Sequence, residues 1–81
     1  MDIVNNEQNP NIVFCVFDEF HNQDRQLRLI FATKDKAKEY LKCMADGYVQ
    51  QYVKWNKSKE LFQVAKDGIK DKFYITEMTV L

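Results

Sequence analysis

The chain has 81 residues, 46% hydrophobic and 14% aromatic, enough for one small domain and too apolar for a chain disordered throughout. Two cysteines, Cys15 and Cys43, exclude a disulfide scaffold, no apolar run approaches the ~18 residues of a membrane span, and Met1–Glu7 lacks the regions of an export signal, so a cytoplasmic protein with reduced thiols is expected. Net charge is zero but polarised along the chain: residues 1–24 hold five acids and no Lys or Arg, whereas residues 25–72 hold all twelve bases against six acids.

Residues 1–10, rich in Asn and closed by Pro10, read as a flexible N-terminal arm, leaving 11–81 as a single α+β domain. The first strand is expected from about Asn11 to Phe20. Its centre, Ile12-Val13-Phe14-Cys15-Val16-Phe17, is apolar at successive positions rather than alternate ones. A strand covered on one side alternates; one that is apolar on both faces expects cover above and below. Turn formers at His21–Arg25 lead into a second strand, Gln26–Ala32, making an antiparallel hairpin. Strict alternation there puts Leu27, Leu29 and Phe31 on one face, with Arg28 and Ile30 on the other.

Thr33 stands where an N-cap belongs, with Asp35 in the first turn. Ala37, Tyr40, Leu41, Met44 and Tyr48 then follow at helical spacing, with Lys34, Lys38 and Lys42 on the opposite face. Tyr52 and Trp55 keep that period beyond Gly47, which predicts a helix running to about Trp55. The competing reading is a strand over Tyr48–Trp55. Ser58 can cap a second, shorter helix ending before Gly68, or Leu61–Ala65 is a strand and Asp67-Gly68 a two-residue hairpin turn. Phe73–Leu81 reads as the closing strand.

The expected fold is therefore ββααβ: a three-stranded antiparallel sheet of order 2-1-3, with one long and one short helix packed on one face. Its other face would carry Val13, Cys15, Phe17, Ile30, Tyr74 and Met78 without cover. An exposed apolar patch of that kind marks association, so these six are the expected protein interface, with a second copy the expected partner.

Catalytic and cofactor motifs are lacking. His21 is the only histidine and Ser58 the only serine, and Cys15 lies too far along an extended strand to meet His21. The Asp18–Asp24 loop gathers oxygen and imidazole groups but lacks the spacing and turn glycine of a calcium loop. It reads better as a hairpin tip whose acids pair across to Arg25 and Arg28. No CxxC pair or phosphate-cradling glycine loop occurs. Neither enzyme activity nor a cofactor or metal is expected. Lys54, Lys57, Lys59, Lys66, Lys70 and Lys72, interleaved with Trp55 and other aromatics, form the alternative site, one for nucleic acid or a nucleotide.

The segments Leu29-Ile30-Phe31-Ala32-Thr33-Lys34-Asp35-Lys36-Ala37-Lys38-Glu39-Tyr40-Leu41 and Phe73-Tyr74-Ile75-Thr76-Glu77-Met78 together resemble a group of small bacterial and phage proteins. In that group a strand hairpin runs through an FxTxxKAxxYL entry into a helix, and a strand of FYIxE type closes the fold. The resemblance implies a ββα…β fold, a bacterial or phage origin, and action by binding and blocking a host protein.

Overall fold

A computed structural model describes residues 11–80; the expected arm over residues 1–10 lies outside the described residues. Five strands form one antiparallel sheet: β1 (Ile12–Phe20), β2 (Gln26–Phe31), β3 (Val53–Trp55), β4 (Leu61–Lys66) and β5 (Ile69–Thr79), in the order β2-β1-β5-β4-β3. A single α-helix is found among the described residues, α1 (Lys34–Asp46), and it packs on one face. The expected three-stranded sheet with two helices is thus incorrect. The end of the expected long helix becomes β3 and the expected second helix becomes β4, so the sheet is wider by two strands.

Two local signals explain the difference. The helix begins as its cap dictates: the Thr33 side chain accepts from the Lys36 N–H at 3.2 Å. Thr33→Ala should lower stability by about 1 kcal/mol in chemical denaturation, as loss of an N-cap generally does. The helix stops at Gly47 because the Gly47 N–H turns back to the carbonyls of Met44 and Ala45. Gln50 then locks the exit, its Nε2 donating to Ala45 O and Tyr48 O, each at 2.8 Å. Tyr48 and Trp55 still reach the core, but as a loop residue and a strand residue, so helical spacing among aromatics was a misleading signal.

At the other end, Asp67 (φ 54°) and Gly68 (φ 82°) form the two-residue turn between β4 and β5. Consecutive positive φ values give the left-handed turn that suits the twist of a hairpin, and Asp-Gly is a preferred pair for it. A Cβ at Gly68 would meet nothing within 4 Å, so the demand is conformational rather than spatial. Ser58 caps no helix; it lies in the β3–β4 turn, where Asn56 Oδ1 accepts from the Glu60 and Leu61 N–H groups at 3.1 and 3.2 Å.

Antiparallel partners share a face, so the register sorts every side chain. Val16 pairs with Ile75, and Phe62 with Phe73, on the side of α1. There Val16, Ala37, Leu41, Ala45, Phe62 and Phe73 form the buried core. Phe62 stacks on Phe73 with ring centroids 4.8 Å apart, while Trp55 lies 5.1 Å from Phe62 and Tyr48 5.9 Å from Phe73. An ion pair, Lys34 to Glu60 at 3.4 Å, ties the start of the helix to the start of β4.

Candidate functional site

The sheet face opposite α1 holds all six residues expected at an interface. In register, Val13 pairs with Met78, Cys15 with both Ile30 and Thr76, and Phe17 with Tyr74. Their exposure is uneven. Cys15 and Phe17 are only 4% and 8% exposed, whereas Ile30 is 54% exposed and Met78 38%. Phe17 is covered locally: the Tyr74 ring stacks at 5.9 Å and the Arg25 guanidinium lies 4.1 Å above its centroid. Arg25 therefore caps an aromatic ring rather than pairing with a hairpin acid.

A bulge alters β2. Val16 pairs with Leu29, but Phe17 pairs with Leu27, so Arg28 is the extra residue. Leu27 is thereby transferred to the open face beside Ile30, and Leu29 stays on the helix side. Strict alternation had assigned Leu27 and Leu29 to one face. Leu27 and Leu29 are 51% and 45% exposed. Exposed apolar surface therefore concentrates along edge strand β2 and wraps round it onto both faces.

The same bulge turns Arg28 to the helix side, where it meets Asp18 at 3.5 Å and hydrogen-bonds Tyr40, the contact that does most to raise its pKa. Asp18 also faces Asp71, its diagonal neighbour across the β1–β5 pairing. Oδ1 of each carboxyl is shielded from water and lacks a donor among the described groups. In its protonated form Asp71 can donate to Asp18. Desolvation, then the hydrogen bond to Asp18 and its charge, push the Asp71 pKa up to about 7. Tyr48, above this pair, has its own pKa raised by burial and by the charges of Asp71 and Asp18. The sequence reading anticipated a hairpin acid pairing with Arg28 but missed that Tyr40, Tyr48 and Asp71 join it.

The Asp18–Asp24 loop does not assemble as a ligand set: alternation sends Asp18 and Glu19 to opposite faces, and only Asp18 and Asp24 share a small depression. Asp18 points to the helix side, while Glu19, on the open face, accepts from the Tyr74 hydroxyl at 3.0 Å. Among the described residues no three His, Cys, Asp or Glu side chains gather. His21 sits at the hairpin tip with φ 45°, its N–H donating to the Lys70 carbonyl.

The lysines of the alternative site are divided between two faces. Lys54, Lys70 and Lys72 lie on the open side, in register with Gln63, Ala65 and Gln63 respectively. Lys66 is on the helix side with its ammonium 5.4 Å from the Tyr52 ring, and Lys59 covers Trp55 at 5.5 Å. Lys57 is exposed in the β3–β4 turn. Trp55 is packed against Phe62 and is not a free stacking platform. Lys70 and Lys72 do share an open depression of about 380 Å³ with His21, Asn22, Gln63 and Glu19. No helix among the described residues is long and apolar enough to cross a membrane. No protein-family model matches this chain, and no curated protein or solved structure matches it.

Proposed function

We propose that this protein is a small non-enzymatic binding module that self-associates through the apolar face of its sheet. One observation carries the reading: β3 and β4 extend the sheet sideways instead of roofing it, so Leu27, Ile30 and Met78 remain exposed opposite the helix. Apolar groups grouped in this way lower their free energy by leaving water, at about 25 cal/mol per Å² covered. The resemblance to small bacterial and phage proteins extends the reading to an accessory or inhibitor that acts by binding a host protein. The lysines, divided between two faces, give the nucleic-acid alternative less support.

Light scattering across a concentration series tests the association. The wild type should form dimers, and Ile30→Asp should be monomeric at the same concentrations with an unchanged circular dichroism spectrum, because Ile30 is more than half exposed in the folded chain. A wild type that stays monomeric throughout would remove the reading.

A further inference from the structure

The open face changes character along its length. Past Tyr74, towards the β1–β2 tip, apolar groups give way to charge. Among the described strand residues this face carries Lys54, Lys70 and Lys72 against one acid, Glu19, although the chain as a whole is neutral. The start of β5 lies there between two turns. On one side the His21 N–H donates to the Lys70 carbonyl and ties the β1–β2 tip to β5; on the other, Asp67 and Gly68 turn the chain from β4 into β5. The depression of about 380 Å³ lies between them. Its cations lack partners. Lys72 is half-buried on the central strand, with Glu19 in register on one side and Gln63 on the other, yet it forms no ion pair among the described residues. Neither does Lys70. Glu19, the acid beside them, already accepts from the Tyr74 hydroxyl. Ammonium groups gathered in a concavity without counter-charges attract an anion.

We infer that this depression binds a small phosphorylated sugar or polyol. A phosphate offers several oxygens to donors that arrive from different directions, here Lys70 and Lys72 of β5 and His21 of the hairpin tip. Lysine holds phosphate as a point charge, whereas a carboxylate is best matched by the planar fork of an arginine, and no arginine lines the depression. Its volume falls in the range of small-molecule sites and leaves room for more than the phosphate. The rest of the lining includes Glu19, Asn22 and Gln63, which exchange hydrogen bonds with hydroxyl groups. No Phe, Tyr or Trp lines it, so a nucleobase finds no broad stacking surface. Lys59 and Lys66 are held over Trp55 and Tyr52, so a polynucleotide finds no continuous cationic track. The site lies at the end of the face away from Met78 and does not depend on self-association.

Amide chemical shifts followed at constant ionic strength, with ribose 5-phosphate as the added compound, test the inference. Binding is expected with a Kd of about 1 mM, the strength that a ligand of this size reaches in an open site. The shifts should centre on His21, Gln63, Lys70 and Lys72. Lys72→Gln should weaken binding at least about fivefold, and Lys36→Gln, which removes an equal charge from α1, should change it less than about twofold. Both variants should otherwise keep the wild-type spectrum. Equal weakening by the two substitutions would mean diffuse charge attraction and overturn the site. Inorganic phosphate binding as tightly as ribose 5-phosphate would overturn the sugar or polyol. An oligothymidylate that displaces the sugar phosphate at lower concentration would assign the phosphate to nucleic acid and overturn the small molecule. No shifts at about 20 mM would overturn the inference outright.

Discussion

Phe62→Ala should cost about 3–5 kcal/mol, as truncation of a fully buried phenylalanine typically does. For a chain of 81 residues the whole stability is of the order of 4–12 kcal/mol, so the variant would approach the limit of folding. The reason is specific to the site. Phe62 is fully buried and touches rings from three other segments: Tyr48 after the helix, Trp55 of β3 and Phe73 of β5. Alanine leaves a cavity that these flat, separately anchored rings cannot collapse to fill. Urea denaturation followed by the fluorescence of Trp55, the single tryptophan, reports on this place directly. A loss below about 1.5 kcal/mol would mean that the aromatic cluster is not the centre of the core.

The second large effect concerns pH. Asp71 has a folded pKa of about 7 against an ordinary value of 3.8, so its stabilisation is complete below the ordinary value and is lost as pH rises through 7. Most carboxylates do the reverse: they are depressed by cationic partners and lose stability on acidification. Between about pH 5 and pH 8 the Asp18–Asp71 pair should therefore dominate, and the protein should melt at a higher temperature at the acid end of that window. The full shift corresponds to about 4 kcal/mol, which solvent screening of this partly exposed pair reduces to about 1 kcal/mol. For a domain of this size that is about 4–8 °C in Tm. Asp71→Asn keeps the shape and supplies a permanent N–H donor towards Asp18. It should abolish the dependence and raise Tm at about pH 8 by a similar amount. A wild type whose Tm rises steadily from pH 5 to pH 8 would contradict the raised pKa of Asp71.

Some of this structure was legible in the chain. Thr33 at the cap, the apolar stripe of α1 and the turn at His21–Arg25 act over a few residues, and local geometry satisfied them where the pattern placed them. The six residues expected on the open face are there because period-two alternation survives strand pairing. The stretch from Tyr48 to Ala65 was ambiguous for a physical reason. Tyr48, Tyr52 and Trp55 follow a helical spacing, yet Val53 and Trp55 also follow a strand spacing. What broke the tie was Phe62 pairing with Phe73, which drew Trp55 into register and made a strand of β4.

By itself the sequence determined the local events: where the helix begins, which strand is apolar on both sides, and which alternate residues travel together. Only tertiary structure decided how many strands the sheet contains, because strand pairing is a contact between distant segments that no short window encodes. It alone brought Asp18 to Asp71 and exchanged the faces of Leu27 and Arg28. A bulge and a carboxyl pair arise from the register of two chains against each other, and register is a property of the assembled sheet.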